Sequence, residues 1–578
     1  MHRHTRAARP SSRLLVALSA AALLAAVTLP SGAAAAAAVA LPAAKPQTVI
    51  SLTFDDGNAN QLTAATTMNS LGLKGTFYVV SGFVGAAGYF TRTDLASLKA
   101  AGHEIGGHTV NHPDLAVLPP DEVARQICND RSTLMSWGYS VKSFAYPFAS
   151  SIPANETAAK NCGYNSARML GDLQSRFGCA GCGYTEKIPP ANPYYLKALD
   201  QVDNTWTLAD LKASVTNAEK TGGWVPFTFH NVCASGCDLN VTPTVFTQFV
   251  QWLAPRALTN NTVVKTVDQV IGGTLKPAKA GPVTAPAGPG VNAVVNPSME
   301  TMGSFGLPSC WMTGGYGNNT PTLTWTSPAR TGTVAGYVSM ANYVDGDAKL
   351  LPTFDLGACS PTVVPGHTYS MRAFYTSTTV TQFAIYLRTS AGVWQYWTSS
   401  PWFPSSLGFT EAVYTTPAVP TGFTGVSFGL NLFSNGTLVT DDYALYDSVG
   451  APAPSTAPAP APSVAPKVQG PVEVHMNPAP DAASDSTAPP AGSGTVPAPA
   501  PSAAPAPAPT PSAPASPPPA APPAPAPAPA PTSAPAPPPS PAPTAPAAPA
   551  APATPAAPAP TNPAPTPTAS AGAGGAGR

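Results

Sequence analysis

Charge is what this chain has least of. Of 578 residues only 10% are charged, and 28 acidic side chains balance 28 basic ones. No segment is basic enough for a nucleic-acid footprint, which removes that class of partner. Long apolar runs are scarce as well: past Leu29 none is long enough to cross a bilayer, so no transmembrane span is expected in the mature chain. Histidine is limited to 8 residues, so two that fall close together carry weight. Beyond Gly450 large apolar side chains are few. Residues 451–578 form a Pro/Ala-rich tail with scattered Ser and Thr, a composition that cannot bury a core and is expected to be disordered. Drawn out as polyproline it would reach on the order of 400 Å at about 3.1 Å per residue, which suits a spacer through a cell wall as well as a plain solvated tail.

The amino terminus has a definite character. Arg3, Arg6, Arg9 and Arg13 precede an apolar run from Leu14 to Leu29, and the small-residue segment Gly32 to Ala38 offers cleavage sites. That order predicts a signal peptide over residues 1–38 and a secreted, extracellular protein. A retained anchor is the alternative, but the run is short for a span and its Ala-rich exit favours cleavage. The 8 cysteines agree with export: Cys128, Cys162, Cys179, Cys182, Cys233 and Cys237 fall in a first globular region, Cys310 and Cys359 in a second. Even counts in each predict disulfides within domains, with Cys310–Cys359 the safest pair; a zinc knuckle of the four closely spaced cysteines is the alternative.

From Val49 to Gly273 short apolar runs alternate with helical patterns. Val49–Phe54, Gly75–Val80 and Trp224–Phe229 read as buried strands, and Val263–Val270 as a last one. Asp121–Trp137 reads as helix, and Phe246, Phe249, Val250 and Leu253 line one helical face. Strand-then-helix order implies an α/β fold with a parallel sheet or barrel, whose chemistry gathers at the C-terminal strand ends. The domain is expected over residues 45–273. Residues 274–290, rich in Pro, Gly and Ala, read as a linker. Residues 291–450, rich in Thr and aromatics with little helical periodicity, read as an antiparallel β-sandwich.

Chemistry-bearing residues stand at these strand ends. Asp55 and Asp56 follow the first strand, and Gly57 turns the chain. Adjacent carboxylates point in different directions, so one can bind a metal while the other takes a proton; a solvated Asp-Gly turn is the plain alternative. His108 and His112 can direct two ring nitrogens at one ion, against the alternative of two surface histidines. His103 and Glu104 read as strand residues. Phe144–Phe148 and Phe227–His230 supply two further strand ends.

Taken together, Thr53-Phe-Asp-Asp-Gly57, His108-Thr-Val-Asn-His112, Tyr146-Pro-Phe148 and Phe229-His230 resemble, in order and rough spacing, the motifs of the NodB-type polysaccharide deacetylases. The resemblance covers about Thr48 to Gly273 and implies a distorted (β/α) barrel. It implies that Asp56, His108 and His112 bind a divalent metal, most simply zinc, that Asp55 is the general base and that His230 is the general acid. Tyr146, through its backbone N–H, and Pro147 would line the oxyanion and substrate side. Two departures stand out. Ala145 and Tyr146 occupy the place of the family's base-tethering Arg, with Arg168 a stand-in only in space. The Asp that orients the acid His has no convincing match, Asp200 and Asp203 being the candidates.

The second region resembles carbohydrate-binding sandwich modules more loosely, through Asn296-Pro-Ser-Met-Glu300 and Asp441-Asp442-Tyr443. That resemblance makes Glu300 and Asp442 candidate ligands of a structural calcium, with solvated acids the equal alternative. Trp394, Tyr396, Trp397 and Trp402 are dense enough for a sugar-stacking face, though such clusters are more often core. The expected activity is removal of acetyl groups by metal-activated water from chitin, its oligomers or peptidoglycan, with the sandwich and tail holding a cell wall. Acetylxylan esterase activity, a small-amide hydrolase and a wall-binding protein with a degenerate centre are the alternatives.

Overall fold

The computed structural model describes residues 45–303 and 306–455, which all fall within one compact unit. The expected signal peptide, and the expected tail apart from its first five residues, lie outside the described residues.

The apolar run after Gln47 forms β1 (Thr48–Phe54), with all seven residues buried. Burial on both faces is what a central parallel strand requires. Around it lie β2 (Thr76–Val79), β3 (Glu104–Gly107), β4 (Ser143–Ala145), β5 (Ser166–Arg168) and β6 (Gly223–Phe229). They form a parallel sheet in the order β5-β4-β3-β2-β1-β6. Helices α1 (Leu62–Ser70), α2 (Arg92–Ala100), α3 (Pro120–Ser136), α4 (Pro153–Asn161) and α5 (Leu208–Ala218) alternate with the strands. The result is a half-barrel. Its open side is bridged by irregular chain: Leu196 N–H bonds to Ala167 O beside β5, while Leu199 and Val202 N–H bond to Pro226 O and Thr228 O of β6. This bridging stretch carries no helix or strand pattern, so periodicity alone does not show it.

After the two-residue pair β7 (Asn231–Val232) and β8 (Asn240–Val241) comes α6 (Pro243–Leu253). Thr242 caps it, Pro243 starts it, and Phe246, Phe249, Val250 and Leu253 are its buried stripe, as their spacing predicts. Each such side chain contributes roughly 1.5–3 kcal/mol when fully buried. The short α7 (Arg256–Thr259) leads to β9 (Thr262–Val264), which pairs with the start of β1. The last strand is thus shorter than expected. Thr266 forms a capping box with Gln269 and opens α8 (Val267–Ile271), so the apolar residues beyond Val264 belong to a helix.

All eight cysteines are paired, as Cys128–Cys162, Cys179–Cys182, Cys233–Cys237 and Cys310–Cys359, which removes the zinc-knuckle alternative. Cys128–Cys162 joins α3 to the end of α4 across a separation of 34 residues. Closing a loop of that length restricts the unfolded chain, so Cys128→Ala/Cys162→Ala should lose about 2–4 kcal/mol, read as a lower urea midpoint. An unchanged midpoint would refute this.

Residues 274–290 are not a free linker. Arg131 donates to Lys276 O and Pro277 O, Asn129 accepts from Gly281 N–H, and the chain lies along α3. Beyond it two antiparallel sheets pack face to face. The first comprises β10 (Trp311–Tyr316), β13 (Asp347–Pro352), β15 (Thr381–Thr389), β16 (Trp394–Ser399) and β18 (Phe423–Leu432). The second comprises β11 (Thr320–Thr326), β12 (Ala335–Ala341), β14 (Tyr369–Ser377), β17 (Ser406–Thr415) and β19 (Gly436–Asp447). Alternate residues such as Phe383, Ile385 and Leu387 enter the shared core.

Candidate active site

The C-terminal ends of β1, β3, β4 and β6 open on one cleft of about 570 Å³, lined by Asp55, Asp56, His108, His112, Tyr146, Phe148 and His230 among others. These residues come from different turns of the half-barrel, so the fold joins groups far apart in sequence. The local backbone is unusual. Asp56, Thr109, His112 and Phe148 have φ of 73°, 70°, 56° and 56°, a region that costs non-Gly residues and persists only where the surroundings over-determine it.

Asp56 Oδ1 lies 3.5 Å from His108 Nε2 and 3.3 Å from His112 Nε2. All three ligand atoms fall within 4.8 Å of one another, and no other group of three or more His, Cys, Asp or Glu among the described residues meets that spacing. Zinc bonds of about 2.0–2.1 Å set tetrahedral ligand atoms roughly 3.3–3.4 Å apart, so the two short separations match a metal cage better than an ion pair. Protonation agrees. His108 Nδ1 donates to Ala145 O at 2.8 Å, which leaves Nε2 as the free lone pair. Burial lowers His112 to about 4, keeping its imidazole neutral. Burial opposes ionisation of Asp56, but the His108 ring against it holds its carboxyl well below the carboxylate range, and the same contact outweighs burial to raise His108. The buried Asp56 Oδ1 has no well-formed hydrogen bond among the described residues. The donor set therefore fits a divalent metal.

Behind the cluster of Asp56, His108 and His112 sits a buried hydrogen-bond network. Asp130, fully buried, accepts from His108 N–H, Ser81 N–H and the Tyr164 hydroxyl. A side chain at Gly107 would meet Tyr164 Oη at 1.9 Å, so only glycine fits there.

Asp55 is 2% exposed and forms an ion pair with Arg168, itself 1% exposed, at the end of β5. Arg168 thus reaches Asp55 from a different strand than the one that carries the third motif. Asp55 Oδ1 has no partner among the described residues, and Asp55 lines the cleft. Gln61 Nε2 ties this arm to the next one, donating to Asp55 O and His230 O. His230 shares the cleft, but neither Asp200 nor Asp203 orients it. Its Nδ1 has no partner among the described residues, Asp200 accepts from Gln201 N–H, and Asp203 accepts from Thr205.

Tyr146 requires a correction. Its N–H donates to Arg168 O at 3.2 Å and is not free for an oxyanion. Pro147 is buried and lacks an N–H. The next peptide belongs to Phe148, which lines the cleft, stacks edge-on against His112 at 4.7 Å and uses its N–H in none of the described backbone hydrogen bonds. Two further features lie beyond the sequence reading: the turns closed by Cys179–Cys182 and Cys233–Cys237 both rim the cleft. Their short Cys spacings are the signal that marks them.

In the second region Glu300 accepts from Thr333 and Val334. Asp442 accepts from Ser298 and Thr331 and pairs with Arg330. Protein donors, one of them a cation, already satisfy both. Of the aromatic cluster, Trp394 is only 8% exposed and stacks on Phe354, Trp397 packs against the sandwich core, and Trp402 packs on Phe433.

Residues 43–167 match the family model described as polysaccharide deacetylase. The match is to a polysaccharide deacetylase domain. The match holds Asp55, Asp56, His108 and His112, while Arg168 and His230 lie beyond it. A curated relative of the deacetylase domain is the peptidoglycan-N-acetylglucosamine deacetylase PgdA of Listeria monocytogenes. It is 24% identical over 186 residues, covering 32% of this chain and 38% of that protein. The chain therefore spans well under half the length of the curated relatives it matches. Similar solved structures include a family 4 acetyl xylan esterase from Clostridium thermocellum, 21% identical, covering 39% of this chain and 90% of that one with a TM-score of 0.28. Another is the peptidoglycan deacetylase PdaC from Bacillus subtilis, 18% identical with the same coverages and a TM-score of 0.27.

Proposed function

We propose that the domain removes N-acetyl groups from an amino-sugar polymer of the cell wall, outside the cell, with a divalent metal, most simply zinc, held by Asp56, His108 and His112. The observation that carries this reading is the convergence of that ligand set with Asp55 and His230 in one cleft. The Listeria relative is named for the N-acetylglucosamine of peptidoglycan, which supports an N-acetyl amino sugar as the substrate class.

When bound, the ion supplies a Lewis acid that polarises the acetyl carbonyl and makes water a stronger nucleophile at neutral pH. Asp55, held by Arg168, takes a proton from the attacking water. Phe148 N–H donates to the acetyl oxygen as negative charge develops on it. His230 gives a proton to the departing amine, which is too basic to leave as an anion. The sandwich and the following tail would hold the enzyme at its polymer. A calcium ion at Glu300 and Asp442 would have to displace Arg330, and this activity does not require one.

An ester substrate is the second reading, favoured by one observation: among the described residues no carboxylate orients His230, and an alkoxide leaves with less help than an amine. The test is acetate release by the full chain from peptidoglycan, acetylated chitooligomers and acetylxylan, with zinc and with chelator. Zinc-dependent acetate from the N-acetylated polymers is expected. Release from acetylxylan alone would select the ester reading. No acetate from a folded, zinc-loaded protein would leave a wall-binding protein.

A further inference from the structure

The sandwich meets the half-barrel at the turn that carries both histidine ligands. Asn111, between them in sequence, donates through Nδ2 to Gly392 O of the sandwich at 3.1 Å. Its remaining groups go to Gln126 of α3: Asn111 N–H donates to Gln126 Oε1, and Gln126 Nε2 donates to Asn111 Oδ1. Gln126 Nε2 also reaches Glu122 Oε1, which accepts Leu356 N–H from the sandwich at 2.8 Å. Glu122, Gln126 and Val110 are at most 1% exposed. On the sandwich side, Arg388 and the Cys310–Cys359 disulfide fix the loop. Arg388 donates to Asp355 O, and Cys359 N–H to the Asp355 carboxylate. Gly392 is closely fitted, since a Cβ there would stand 2.6 Å from Val110 Cγ1 and 2.9 Å from Leu356 Cδ2.

We propose that the sandwich positions the metal centre: its 354–360 loop and 389–393 turn brace the 109–112 turn through Asn111, Gln126 and Glu122, so that metal affinity depends on the sandwich being docked. The physical reason lies in the turn itself. Thr109 and His112 are both held at positive φ, and such backbone relaxes unless packing fixes it. Ser81 and Gly82 N–H hold it from one side, through Thr109 O and Val110 O. Asn111 and Val110 are fixed from the other side by α3 and the sandwich. Asn111 is a positioning residue, since it acts through its neighbours and does not itself bind the ion.

This proposal rests on the metal reading above, and its test separates the two. Gly392→Ala in the full chain would place a methyl against Val110, a β-branched side chain with little freedom to move. Gly366→Ala is the control: it has a similar φ of +87° but nothing within 4 Å of an added Cβ. Zinc affinity is measured by chelator competition, and amide exchange over residues 108–112 in zinc-free protein. Gly392→Ala is expected to weaken zinc binding about five- to tenfold, the scale of one lost hydrogen bond, and to speed exchange in that segment. Gly366→Ala should match the parent. Leu356→Ala, which removes packing without adding a wedge, should act in the same direction as Gly392→Ala and guards against a misfolded variant. Parent-like zinc affinity in both Gly392→Ala and Leu356→Ala would overturn the brace while leaving the metal site standing. A parent chain that binds no zinc would overturn both.

Discussion

Asp55→Asn is expected to lower acetate release from an N-acetylated oligomer by about 10²–10⁴-fold with zinc still bound at the parent's stoichiometry. Asn keeps the shape of the side chain and can still accept from Arg168, but it cannot take a proton. Asp55 is not one of the three clustered side chains, so zinc content should not follow activity down. His230→Ala makes the complementary case. On an amide it should lose a similar factor, because the amine needs a proton to leave. On an aryl acetate the loss should be far smaller, since a phenolate leaves unaided. Asp55→Asn should be equally inactive on both substrates, because both need the attacking water. If His230→Ala lost aryl acetate hydrolysis as completely as amide hydrolysis, His230 would be serving the site's structure and not the leaving group.

Much of this centre is legible in the amino-acid sequence, and the reason is local. Asp55 and Asp56 follow the apolar β1, His230 follows the apolar β6, and His108 and His112 follow the short β3, so strand pattern plus a polar terminus places them at one end of a parallel sheet. What the sequence hides is non-local. Arg168, which the sequence offers only as a stand-in in space, ends the three-residue strand β5, and nothing in its neighbourhood signals a partner at Asp55, 113 residues away. The proposed oxyanion donor is Phe148 and not Tyr146 because a sequence shows which residues possess an N–H, not which N–H is already engaged. Tyr146 has one, and Arg168 O takes it. The barrel's bridging segment and the packed linker are hidden for the same reason. Their backbone groups bond to distant partners, while their composition reads as loop.

Arg168→Met carries the largest expected effect on stability and separates holding a base from merely filling space. The pair is almost fully buried, and removing one partner of such a pair leaves an uncompensated charge, at about 3–5 kcal/mol. Unfolding in urea should show that loss, and acetate release should fall with it. Arg168→Lys keeps the cation but not the fork that reaches both Asp55 and Met169 O, so it should recover part of the stability and part of the activity. The decisive variant is the double one. Arg168→Met/Asp55→Asn removes both charges, so it should be more stable than Arg168→Met alone, yet it should release no acetate above the chelated background. Stability restored without activity would place Arg168 in the role the third motif leaves vacant. Arg168→Met that keeps the parent's turnover would show that Asp55 needs no tether.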